Sequence, residues 1–191
     1  GHYAGSLSDG GETVVLHTSS GIPVVPFTYG DNFTPLSDGD GPTMVYCGDD
    51  YATAESWRDS VLIGGTPGRG PDTPLRDIVI NEVMSHTDLP DRDAIELLNV
   101  SDTAVLIGEW WLSDSRKTPR KFVIPAATML PAGEYVVFDE DDFNPTPLTP
   151  ATNHFTLDGA HGDDVWLFEP GIDEEPQRIV DTVAFGAAPN G

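Results

Sequence analysis

Basic residues are scarce in this chain. Nine lysines and arginines stand against 32 aspartates and glutamates, giving a formal net charge of −23, and only Lys117 and Lys121 are lysines. A field of that sign repels nucleic-acid phosphates and anionic lipid, so nucleic acid is excluded as a partner; it also favours solubility, salty surroundings and divalent cations. Cysteine is almost absent. Cys47 stands alone, so no internal disulfide can form and a small disulfide-stapled scaffold is excluded, while the compartment stays open. No apolar run approaches the ~20 residues of a membrane-spanning helix, which excludes membrane insertion by that route. The first residues lack the basic-then-apolar form of an export signal. The expectation is a piece of a longer protein.

What the chain does have is punctuation. Its 20 glycines and 17 prolines separate short alternating apolar runs, a texture too regular for disorder and too broken for helices. The stretch 77–115, DIVINEVMSHTDLPDRDAIELLNVSDTAVLIGEWWLSDS, is the clearest part. Ile78, Ile80 and Val83 fall among polar residues, and Ile95, Leu97 and Leu98 precede the turn Asn99-Val100-Ser101-Asp102. Both runs read as half-buried strands, with a third at 104–107. Trp110, Trp111 and Leu112 then supply a large apolar plug. Further strands are expected at 121–125, 134–139, 155–157, 165–168 and 178–185, with an acidic, proline-rich exposed loop at 139–151. The fold class is all-β, with the pattern of a β-sandwich.

The motifs INEVM, IELLNVSD, GEWWLSD, FVIPAATMLPAGEYVVF, GDDVWLFE and IVDTVAFG follow one another in an order and spacing that resembles the lamin tail domain, bacterial extracellular type, over residues 78–186. The resemblance implies an immunoglobulin-like β-sandwich. Residues 9–68 are similar to the C-terminal half of that family only: a G-E-x-V-x-L hairpin, a W-R-x-S segment and a G-G-T-P-G ending. Residues 11–16 align with 162–167, and 24–30 with 180–186, which makes an internal repeat. The expected organisation is a partial β module at 1–64, a Gly/Pro linker at 65–76 and a lamin tail domain at 77–191, lacking its last strand. A sandwich short of a strand exposes unpaired N–H and C=O groups. A longer parent chain, residues 1–70, or a neighbouring molecule by strand addition could fill that place, and the longer parent is the leading expectation.

Candidate chemistry is thin. Glu82 and Glu96 are the nearest thing to a carboxylate pair, with structural hydrogen bonding as their expected role. Calcium is the most specific option, because hard cations want several converging oxygens. Asp88, Asp91 and Asp93 share one loop and Asp139, Asp141 and Asp142 another, while Asp38 and Asp40 alternate with glycines; none completes an EF-hand pattern. The histidines, at 2, 17, 86, 154 and 161, have no zinc spacing and read as surface residues. Cys47 ends a short strand expected at 43–47 with no histidine nearby, so it reads as a buried small hydrophobe. No Gly-x-Ser-x-Gly elbow occurs, and Gly64 to Gly70 lacks the Lys-Ser/Thr of a phosphate loop.

The segment 116–121 holds four of the nine basic residues and is expected to guard an edge strand or to pair with acidic neighbours. Of the two adjacent tryptophans, the resemblance places one in the core, and strand alternation leaves Trp110 partly exposed, a poor lectin signal on its own. Asn32-Phe33-Thr34 and Asn99-Val100-Ser101 match the glycosylation triplet. These residues together lead to a non-enzymatic structural, adhesive or binding β-sandwich module of a secreted or cell-surface protein, with protein partners, self or neighbouring domains, and no resident cofactor. Two alternatives stay open: a subunit of an extracellular assembly formed by strand complementation, or a calcium- or carbohydrate-binding accessory module of an exported enzyme.

Overall fold

Short β-branched runs broken by glycine and proline become strands along the whole chain. In the computed structural model the described residues are 7, 8, 10–37, 41–70, 73, 75–85, 87 and 91–187. His2, Asp38, Asp40, His86 and Asp88 lie outside them. The chain divides into two compact units, Gly1–Pro74 and Leu75–Gly191.

The first unit is two hairpins. Strand β1 (Glu12–His17) pairs antiparallel with β2 (Pro23–Tyr29), and β3 (Pro42–Tyr46) pairs antiparallel with β4 (Trp57–Ile63). Alternation splits β1 and β2 into two faces. Thr13 and Thr28 share a hydroxyl hydrogen bond of 2.7 Å on the polar one, and Val14 opposes Phe27 on the apolar one. The Phe27 ring stacks on Trp57 of β4 at 4.4 Å, and Trp57 in turn meets Tyr46 of β3 at 5.3 Å. Cys47, just past β3, is exposed rather than buried. The apolar run ends one residue earlier, at Tyr46, and the chain bends at Gly48.

The second unit is a sandwich. One sheet has the order β11 (Tyr135–Asp139), β6 (Ala94–Asn99), β5 (Ile78–Met84); the other has β13 (Pro176–Gly186), β12 (Gly162–Pro170), β8 (Trp111–Ser113), β9 (Phe122–Val123). A small two-stranded sheet joins β7 (Val105–Leu106) to β10 (Met129–Leu130). Every second residue points inward, as the period of a strand requires. Ile78, Ile80, Ile95, Leu97 and Phe138 of the first sheet therefore share one core with Leu112, Val165 and Leu167 of the second. Each fully buried Ile or Leu contributes about 1.5–3 kcal/mol of hydrophobic stabilisation.

Three expectations are corrected here. Residues 139–151 are not simply an exposed loop, because Asp139 caps a one-turn helix α1 (Glu140–Phe143) through a capping box with Asp142. The helix turns Phe143 into the core, 1% exposed and stacked at 4.6 Å on Phe155. Residues 155–157 form no strand; Phe155 and Leu157 are buried from an irregular segment. Trp110 is 6% exposed rather than half open, because it shares the inward face with Leu112. Trp111 takes the opposite face and is also buried, at 3%, opposite Phe168 and beneath the Arg120 guanidinium.

Asn99 organises the turn after β6. Its amide donates at 2.8 Å to the carbonyls of Thr103 and Leu130, and its Oδ1 accepts from the N–H and hydroxyl of Ser101. The side chain is fully buried, so in the folded protein it offers no glycosylation acceptor. At about 1 kcal/mol for each of these four hydrogen bonds, Asn99→Ala should cost about 4 kcal/mol. Urea denaturation checks this, and a loss below about 1 kcal/mol would mean that water replaces the network.

Candidate functional site

The two halves of the sandwich are clamped at one corner by charge. Arg178 of β13 is 3% exposed and forks onto Asp77 through two bonds of 3.0 Å, while its Nε reaches Glu169 of β12 at 2.7 Å. Glu169 and Arg178 are cross-strand partners, so the hairpin register places that pair. Asp77 arrives from the start of β5, 101 residues away in sequence. The guanidinium also lies over the Trp110 ring, 5.4 Å from its centroid. Burial on its own pushes the Asp77 carboxyl up, but the hydrogen bonds and charge of Arg178, with the Ile78 N–H, outweigh it and hold the group below the usual carboxylate range. Burial likewise pulls Arg178 down and is outweighed by the hydrogen bonds and charges of Asp77 and Glu169. Nearby, Asp181 accepts the Ile80 N–H at 2.8 Å, a second tie between β13 and β5.

The segment 116–121 is held down by partners. Lys121 pairs with Asp114 at 2.5 Å and Arg120 with Glu174 at 2.7 Å. Arg116 lies over Trp166 and Arg120 over Trp111, at 5.9 and 5.6 Å. The segment leads into β9, the edge strand of its sheet, and pairs with acidic neighbours. Glu82 and Glu96 oppose each other across β5 and β6, and Glu96 accepts from the Asn81 amide at 2.7 Å.

The two predicted aspartate loops meet at one end of the sandwich. Asp91 and Asp93 line an open cleft of about 290 Å³ with Thr87, Glu140 and Asp158. Arg92 pairs with Asp141 at 2.8 Å, joining the loops directly. Three further carboxylates of the loops already have partners: Asp93 accepts from the Thr87 N–H and hydroxyl, and Asp139 and Asp142 complete the cap of α1. The side chain and backbone N–H of His161 hold the exposed Asp158 carboxyl below its usual range. Among the described residues, no three carboxylate, imidazole or thiol groups converge to hold a metal ion.

The sequence reading missed the Asp77, Glu169 and Arg178 triad. Glu169 to Arg178 was accessible in principle, as an opposite-charge pair flanking a hairpin loop. Asp77 was not, because nothing local links residues so far apart.

Two antiparallel sheets, a shared apolar core and corner ties between first and last strands define an immunoglobulin-like β-sandwich. The model of the family described as Lamin Tail Domain matches residues 71–186, and the chain belongs to that family, a non-catalytic immunoglobulin-like domain family. Separate comparisons with curated proteins and with solved structures find no match.

Proposed function

We propose that the chain is a non-enzymatic structural or binding segment of a larger secreted or cell-surface protein, built from lamin-tail modules in series. One observation carries this reading: the β1–β2 hairpin has the register of the β12–β13 hairpin. Glu12 opposes Tyr29, Val14 opposes Phe27 and Leu16 opposes Val25, as Asp163 opposes Phe185, Val165 opposes Val183 and Leu167 opposes Asp181. Even the register shift recurs, after Leu16 and after Leu167. Gly11 and Gly162 both have left-handed φ, +95° and +92°, and a Cβ on either would sit 2.5 Å from the carbonyl oxygen of the facing strand. Only glycine meets both demands. Residues 1–64 then form the C-terminal half of a second module, and repetition of one β unit suits a spacer or a displayed binding surface.

Composition supports export through the strongly acidic balance, which suits salty surroundings. Protein is the partner class that fits: a neighbouring module or another copy. Sedimentation of the purified chain, with and without millimolar calcium and at low and high salt, tests the reading. The expected result is a monomer indifferent to both. Concentration-dependent assembly that dissociates in high salt would replace it with a self-assembling subunit. Calcium dependence would replace it with a metal-binding module, the site being the cleft at Asp91, Asp93, Glu140 and Asp158.

A further inference from the structure

In the second unit the β12–β13 hairpin has its apolar face covered by the β11-β6-β5 sheet, and Val165 and Leu167 are 0% exposed. The matching residues of β1, Val14 and Leu16, are 39% and 64% exposed. Phe27 and Tyr29 occupy the register positions of Val183 and Phe185, which pack on the core of the sandwich. In the first unit those side chains instead line an open groove of about 450 Å³ with Val14, Leu7, Thr34 and Met44. Trp57 covers one side of Phe27, and Val14 and Leu16 of the same face stay exposed. The groove therefore lies on the face where, in the second unit, the other half of the sandwich sits.

We propose that this groove is the docking site for the first half of another lamin tail domain, a three-stranded sheet with the inward pattern of Ile78, Ile80, Ile95, Leu97 and Phe138. Its source is the polypeptide side from which β1 is entered. Leu7 and Ser8 border the groove, with the Tyr29 hydroxyl donating to the Ser8 carbonyl at 2.8 Å and the Ser8 N–H donating to Glu12 at 3.0 Å. The approach to β12 follows the same course: the Asp158 N–H donates to Asp163, and just before it Phe155 and Leu157 enter the core. A second copy of this chain is a poorer occupant, since its own β11-β6-β5 sheet is already covered by β12 and β13. The proposal rests on the reading of residues 1–64 as half of a module.

The test extends the full chain by joining a second copy of residues 75–157 ahead of Leu7. Asp77→Asn is placed in that copy, because Ile22 stands where Arg178 would pair the carboxylate. Hydrogen exchange of the β1 and β2 amides should slow by about a hundredfold on burial of Val14 and Leu16. Val14→Asp should abolish the slowing, and Thr13→Asp on the polar face should not. Unchanged exchange on extension, or indifference to Val14→Asp, overturns the proposal. So does a dimer of the unextended chain with β1 and β2 protected, which would make a second copy the occupant. A complete lack of protection in β1 and β2 before extension overturns the half-module reading itself. A second variant removes dependence on folding of the added segment: Asp163→Glu, Asp164→Thr and Trp166→Val give residues 163–167 of β12 the sequence of residues 12–16 of β1. A sandwich that keeps its core amides protected supports the proposal, and one that loses them overturns it.

Discussion

Arg178→Ala should destabilise residues 75–191 by about 3–5 kcal/mol, the cost of removing one member of a buried ion cluster. The substitution leaves Asp77 without its two 3.0 Å hydrogen bonds and uncovers the ring of Trp110. Denaturant unfolding of the full chain, followed by tryptophan fluorescence, measures it. Arg178→Leu combined with Asp77→Asn and Glu169→Gln should recover much of the loss, because no uncompensated charge remains. A single-variant loss under about 1 kcal/mol, the range of exposed pairs, would show that water satisfies these groups instead. The same triad fixes a pH dependence. Asp77 has a depressed folded pKa, so its contribution is complete above its unfolded value of about 3.9 and is lost as pH falls through the lower folded value. Arg178 is shifted upward, so its contribution is present at all lower pH. Melting temperature should therefore show no pH dependence from this pair between about pH 5 and 8, where its stabilisation is complete, and should drop below about pH 4. Arg178→Ala should flatten that acid limb. An unchanged acid limb would assign the drop to other carboxylates.

Trp110→Ala should cost about 3–5 kcal/mol, as large-to-small aromatic substitutions in cores do. The ring joins the core cluster on one side and carries Arg178 on the other. Its loss leaves a cavity and removes the surface against which the guanidinium is positioned. The variant should also couple to Arg178→Ala in a double-mutant cycle, with the pair costing less than the sum of the singles. Additive losses would mean that the cation over the ring contributes nothing beyond packing.

These two sites also mark how far the sequence could be read. The alternation of Ile78 with Ile80, and of Ile95 with Leu97, announced strands and their inward faces, and the motif series from INEVM to IVDTVAFG placed the family. The likeness of residues 11–16 to 162–167 was visible as aligned residues, and the register that β1–β2 shares with β12–β13 was not, since pairing is a property of the fold. Trp110 was misjudged because alternation predicts which face a side chain takes, not what lies over that face. Here both faces are covered, one by the core and one by Phe168 and Arg120. Phe143 and Phe155 were hidden for another reason: they enter the core from a capped single turn and an irregular segment, where no period exists to detect. The carboxylates of the two aspartate loops were found as residues. Their meeting at one cleft was not, since it depends on how α1 folds back toward Asp93, whose carbonyl accepts the Glu140 N–H at 2.9 Å.

The corner ties have a mechanical meaning. Asp77 meets Arg178 and, three residues further along each strand, Ile80 meets Asp181, so β5 and β13 run side by side in the same direction. Tension applied where β5 begins and where β13 ends would drag the two strands past each other lengthwise. Sliding requires the ion fork and the Ile80 to Asp181 bond to rupture together, whereas peeling would break them one at a time. A module tied this way resists stretching through a high barrier to forced unfolding, which is governed by the unfolding rate rather than by equilibrium stability. That property suits a domain loaded through its two ends.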